Sequence, residues 1–165
     1  MISRFEKLRF MGLAYSATLM YFIVLRLRAQ FPRPDFPYTH ADLRELPLGS
    51  LGKTVADYMD ERGYTLLRGY EQHDIKHVLF GYDMDAAGEV RLQAFRVGFG
   101  QFGVPMLGTL LFGAVFLPDY WRLLWTDFKR GRRAKKYAKH LNYKHLIPLP
   151  LHIAQARMGA PVVFF

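Results

Sequence analysis

Glu71 to Glu89 reads EQHDIKHVLFGYDMDAAGE, and the pattern in this stretch sets the reading of the whole chain. A helical run carrying His73, Asp74 and His77 ends at Gly81, and the polar turn YDMDAAG leads into a second run. Asp85 stands where a side chain can cap that second helix from Ala86. Histidines four positions apart lie on one helix face about a turn from each other, so His73 and His77 can offer two imidazole nitrogens to one divalent cation. Glu89 falls in the first turn of the following helix, where the dipole favours a carboxylate, and the turn can fold it back beside the histidines. Asp74 points roughly 100° around the helix from His73 and would serve as a fourth ligand or an orienting acid.

Two histidines and a carboxylate with a position left for water is a common arrangement in catalytic zinc sites, although nitrogen–oxygen sites also accept iron or manganese. The residues alone leave a plainer reading open: an amphipathic helix that carries two histidines. The metalloprotease pattern H-E-x-x-H is not met, because Asp74 holds the glutamate position. A metal-dependent phosphohydrolase of the His-Asp type would need more ligands, from His40, Asp119 or Asp127.

Outward from this stretch the punctuation is helical throughout. Ser50 caps a run, LGKTVADYMDERG, that ends at Gly63. Before it, Gln30 to Ser50 holds four prolines and reads as an extended connector. After Pro118 another helix is expected from Asp119 to about His140, and Ile147-Pro148-Leu149-Pro150 breaks the chain before a short last helix. Alternating strand patterns are scarce, so the expected fold is all-α, a single helical domain. Residues 1–45 form an N-terminal apolar helix and proline-rich connector, and residues 46–165 the metal-binding helical domain.

The chain has 165 residues, 51% of them hydrophobic, yet its formal charge is +9. Apolar and basic character together favour a membrane surface over an acidic protein partner. With no cysteine, disulfides and thiolate metal sites are excluded. Met11 to Leu25 is uncharged but shorter than the roughly 20 residues that span a bilayer, and it reads either as a helix lying in or against the interface or as an ordinary core helix. Val97 to Pro118 runs 22 residues without a charge, with Gly98, Gly100, Gly103 and Pro105 crowding its first half. It is expected as a long apolar helix lining a lipid-binding groove, with a break or a close approach at the glycines.

Lys129 to Lys144 holds eight Lys or Arg and no acid. Lys129, Arg132 and Lys136 fall at helical spacing, where three charges near anionic headgroups contribute on the order of 1 kcal/mol each. No nucleic-acid-binding module is recognisable, and no nucleic-acid partner is expected.

His73, Asp74, His77 and Glu89 also reproduce H-D-x-x-H followed after eleven residues by E, and in this the chain resembles the coenzyme Q (ubiquinone) biosynthesis family of the Coq-four type. Gly49-Ser50-Leu51-Gly52 resembles that family's Gly-Thr-Leu-Gly, Gly81 and Gly88 match, and Lys129-Arg130-Gly131-Arg132-Arg133 and Arg157-Met158-Gly159 resemble its late segments. Asn142-Tyr143 departs from the family's acidic residue and Trp, and the tail PVVFF has no counterpart. The resemblance implies zinc on the four motif residues and a polyprenylated aromatic precursor as substrate, with removal of its ring carboxyl by a decarboxylase or hydroxylase. It also implies a peripheral position on a membrane, the cytoplasmic face or the mitochondrial inner membrane according to source. Other quinone-biosynthesis proteins are the implied partners, and a homo-oligomer is left open. A non-catalytic lipid-binding scaffold is the alternative that needs no chemistry at the metal.

Overall fold

The structure is a computed structural model that describes residues 36–66, 69–135 and 143–159, together with Arg9, Met11 and Gly12. Seven α-helices occur among the described residues: α1 His40–Arg44, α2 Leu51–Glu61, α3 Glu71–Phe80, α4 Ala86–Phe99, α5 Val104–Phe116, α6 Trp121–Ala134 and α7 Leu151–Arg157. No strand accompanies them, only an isolated antiparallel bridge between Ser50 and Pro150. The all-α expectation holds. By packing, the chain forms two compact units, one of residues 33–84 and 133–165 and the other of residues 1–32 and 85–132.

The first unit contains α1, α2, α3 and α7. The Ser50 side chain accepts from the Lys53 amide and starts α2, as its position predicted. The buried amides of that first turn, which have no partner within the helix, find carbonyls elsewhere, Leu51 N–H donating to Leu149 at 2.8 Å and Gly52 N–H to Ile147 at 2.9 Å. α2 packs on α1, α3 and α7, and α3 on α7. Leu43, Leu51, Val55, Ile75, Leu79 and Ile147 are wholly buried.

One expectation is corrected here. The proline-rich stretch is not extended throughout, because α1 forms inside it. Thr39 accepts from the Asp42 amide while the Asp42 carboxylate accepts from the Thr39 amide, a reciprocal cap that satisfies two helix-end donors. The Arg44 guanidinium then binds Asp60 near the end of α2 at 2.6 and 2.8 Å, and His40 Nε2 meets the same carboxylate at 2.9 Å.

The second unit contains α4, α5 and α6. The uncharged run from Val97 does not form one long helix, which corrects the second expectation. α4 ends at Gly100, whose φ of 89° lies in the left-handed region that glycine adopts without strain, and α5 begins afresh after Gly103 with Pro105 in its first turn. The glycines thus act as a break, and Gly98 also permits a close approach. A Cβ at Gly98 would overlap the Phe128 carbonyl oxygen, and one at Gly131 would overlap the Phe95 carbonyl oxygen. α4 and α6 therefore meet backbone to backbone at two reciprocal points.

Val90, Ala94, Leu117 and Leu124 form the unit's apolar cluster, with Leu110, Phe116 and Tyr120 packed on it. Asp127, 1% exposed, accepts from Arg91 Nε at 2.9 Å and Arg130 Nη1 at 3.0 Å, which compensates its buried charge. Helix α6 ends at Ala134 among the described residues, after a short 3-10 turn from Pro118 to Tyr120. Lys136, His140, Asn142, the tail 161–165, and Met11 to Leu25 beyond Met11 and Gly12 lie outside the described residues.

No single helix among the described residues is long and apolar enough to cross a membrane. The pair Val104–Phe116 and Pro118–Ala134 has the composition and the combined length for it, but bends by 105° at the break.

Candidate metal centre

α3 carries the two histidines. Gly81, with φ 73° and ψ 47°, closes the helix in the left-handed conformation, and its amide bonds to the carbonyls of the preceding turn. Tyr82 N–H donates to the His77 carbonyl at 2.8 Å and completes the closure. Asp85 accepts from the Gly88 amide at 2.6 Å and opens α4, so Glu89 sits in that helix's first turn. Each of these steps follows from a residue whose role was legible in the sequence: a glycine to stop, an aspartate to start.

His73, His77 and Glu89 each present a ligand atom within 4.8 Å of the other two, the one such group with three or more members among the described residues. Donors about 2.1 Å from a tetrahedral zinc stand roughly 3.4 Å apart. Two imidazoles and one carboxylate leave a divalent ion with net positive charge and open positions, which suits a Lewis acid. The donor types fit zinc, iron or manganese.

The neighbours of these side chains fix their orientation. His77 is 1% exposed, and its Nδ1 lies 2.8 Å from the Asp83 carbonyl oxygen. A carbonyl only accepts, so Nδ1 carries a proton, and in the neutral ring Nε2 then carries the lone pair, the tautomer a metal needs. The His73 and His77 rings lie 4.9 Å apart between centroids. Gln93 Nε2 donates to Glu89 Oε2 at 3.2 Å across one turn of α4.

Asp74 is not in the three-residue group. Its carboxylate stands 3.5 Å from His73 Nδ1. Of the residues a phosphohydrolase would recruit, His40 pairs with Asp60, Asp119 with Arg9, and Asp127 with Arg91 and Arg130. None of the three joins the group.

Sequence reasoning missed the support behind His77. Tyr58 of α2, 5% exposed, donates its hydroxyl to Asp83 Oδ1 at 3.2 Å and accepts from the Met84 amide at 3.2 Å. Burial pushes its phenol above the ordinary range, so it remains a neutral donor. A tyrosine on the apolar face of an amphipathic helix reads as core, and nothing in the sequence ties it to a turn 25 residues on.

Residues 24–139 match the family model described as coenzyme Q (ubiquinone) biosynthesis protein Coq4. The mitochondrial ubiquinone biosynthesis protein COQ4 of Pyricularia oryzae is 31% identical over 118 residues, which cover 57% of this chain and 38% of that protein. The corresponding protein of Aspergillus flavus is 30% identical over 112 residues, again 57% of this chain and 38% of that protein. The chain thus matches about two-fifths of the length of these relatives. A crystal structure from Nostoc punctiforme, carrying a provisional ubiquinone-biosynthesis name, superposes with a TM-score of 0.56 at 25% identity, over 90% of this chain and 81% of that one. The family match starts ahead of Leu46 and ends before Arg157-Met158-Gly159.

Proposed function

The chain belongs to the coenzyme Q (ubiquinone) biosynthesis Coq4 family, and from that premise we propose that it binds one divalent metal ion through His73, His77 and Glu89 and acts on a polyprenylated aromatic precursor. The observation that carries this reading is the meeting of three ligand atoms within 4.8 Å. His77 is presented by its Nδ1 bond to Asp83, and Asp74 beside His73 Nδ1 holds that ring's orientation. Glu89 supplies the anionic donor from the first turn of α4. The ion, when bound, would polarise a ring carboxylate or phenolic oxygen of the substrate as a Lewis acid. Exchanging a ring carboxyl for a hydroxyl breaks the ring–carboxyl bond, releases carbon dioxide and takes one oxygen atom from a two-electron oxygen donor. A peroxide returns its other oxygen as water, whereas dioxygen does so only with two further electrons and two protons from a reductant. Zinc has no redox chemistry of its own, so an oxidative role favours iron or an activated co-reactant.

A peripheral place on an anionic membrane completes the proposal, and two exposed lines support it. Val104, Leu107, Leu111 and Val115 run along one side of α5, a helix without a charged residue. On α6, Trp121, Trp125, Lys129 and Arg132 follow at spacings of four, four and three, which is one helix face, and all four are exposed. The Trp121 indole donates to the Ala114 carbonyl at 2.6 Å, so the second line starts where the first ends. Tryptophan prefers the headgroup level, and the two cations beyond it match anionic phosphates.

The catalytic reading is tested by Glu89→Gln in cells lacking the endogenous protein. We expect loss of quinone product by tenfold or more at equal protein level. Full restoration would favour a scaffold that holds lipid and partner proteins without chemistry.

A further inference from the structure

The geometry points to Tyr58 as the residue that positions His77: its hydroxyl fastens the Asp83–Met84 turn, whose backbone carbonyl sets which imidazole nitrogen is offered to a metal. This inference rests on the metal-site reading above and concerns only residues of one packing unit.

The chain of contacts is short. Tyr58 O–H donates to Asp83 Oδ1, the Met84 amide donates to the Tyr58 hydroxyl oxygen, and the Asp83 carbonyl accepts from His77 Nδ1 at 2.8 Å. One phenol oxygen thus bonds both residues flanking the peptide next to that carbonyl. Without it, the turn would keep the Gly81 closure but lose its tie to α2. The carbonyl would then hold Nδ1–H less often, and the Nε2-protonated tautomer, which cannot offer Nε2 to a metal, would gain population.

Tyr58 is itself held from the other side. The Arg62 guanidinium lies 3.7 Å from the centre of its ring and donates to its backbone carbonyl at 3.3 Å. A cation thus lies over the face of the ring, while the hydroxyl reaches the turn. That division separates packing from positioning: Tyr58→Phe keeps the ring and removes the bond.

The test is nitrogen-15 correlation spectroscopy of the His77 ring in metal-free protein, beside a calorimetric zinc titration. In the unsubstituted protein Nδ1 should carry the proton. In Tyr58→Phe the two tautomers should mix and zinc affinity should fall by roughly tenfold, the lower end for partners that orient metal ligands. Asp83→Asn retains an oxygen acceptor for the phenol and should stay near the parent. If Tyr58→Phe does not fold, Asp83→Ala, at an exposed position, removes one of the two bonds of the phenol and should shift the tautomers in the same direction by a smaller amount. A ring that stays Nδ1-protonated with unchanged zinc affinity in a folded variant would overturn the inference, as would an Nε2-protonated His77 in the parent. Failure of the parent to bind zinc would sink the metal reading, while the tautomer signal would still decide the role of Tyr58.

Discussion

At the scale of single residues, the side chains that build the candidate centre and those that hold the helices obey different rules. His77 is buried and bonds the Asp83 carbonyl, whereas Asp60 is partly exposed and gathers Arg44 and His40. The Arg44 hydrogen bonds, opposed by some desolvation and aided by His40, hold the Asp60 carboxyl down at about 2, against an ordinary 3.8. A lowered folded-state value means that this stability is complete above the ordinary carboxylate range and is lost as pH falls through the folded value. Unfolding followed from pH 5 to pH 1.5 should therefore show a loss centred between about 4 and 2, and Asp60→Asn should flatten that part of the profile. Asp42, lowered by its bonds to Thr39, adds a loss of the same sign, so a residual slope should persist in the variant. Both groups lie near solvent, and high salt should shrink the Asp60 effect. An unchanged acid limb in Asp60→Asn would mean that the pair contributes nothing. At this scale the sequence was informative about ligands and silent about what orients them. His73, His77 and Glu89 announce themselves by residue type and spacing, but Tyr58 and Asp83 act through a hydroxyl and a main-chain carbonyl, which any sequence could supply.

At the scale of elements, the glycine pair Gly98 and Gly131 decides how α4 and α6 meet. Glycine within a helix costs about 1 kcal/mol relative to alanine, so at an open position Gly98→Ala would stabilise by roughly that amount. Here the added methyl would strike the Phe128 backbone, which cannot rotate away as a side chain can. Overpacking of that kind costs about 1–3 kcal/mol, and the backbone contact places this site at the upper end. Thermal unfolding of Gly98→Ala and Gly131→Ala should show both destabilised. A gain in stability for either would mean that the helices do not approach as described. The elements were legible where a cap marked them: Ser50 and Asp85 start helices where the sequence placed them, and Gly81 stops one. The uncharged run from Val97 was harder, because hydropathy reports burial or lipid contact and not helix continuity. The glycines that divide it were visible, but whether they break a helix or admit a neighbour depends on long-range packing. In the structure they do both. Helix α1 was overlooked because prolines on either side outweighed the signal Thr39-x-x-Asp42.

At the scale of the whole molecule, a +9 chain with an uncharged helix and two exposed tryptophans should bind anionic bilayers and neglect neutral ones. Each cation near such a surface contributes about 1 kcal/mol, so replacing Lys129 and Arg132 together by alanine should weaken binding to phosphatidylserine vesicles roughly 30-fold. Tryptophan emission should shift to the blue on vesicle addition. A blue shift that instead follows protein concentration without lipid would assign the face to a second copy of the chain. The central claim, however, is the metal. The measurement that tests it most directly is the metal content of the purified protein, by elemental mass spectrometry without chelators, beside that of His77→Ala. The account predicts one zinc, iron or manganese ion per chain in the parent and loss of it in the variant, with the element found deciding between Lewis-acid and redox chemistry. A parent with no metal after saturation with each of the three ions, or a variant that retains it in full, would contradict the account.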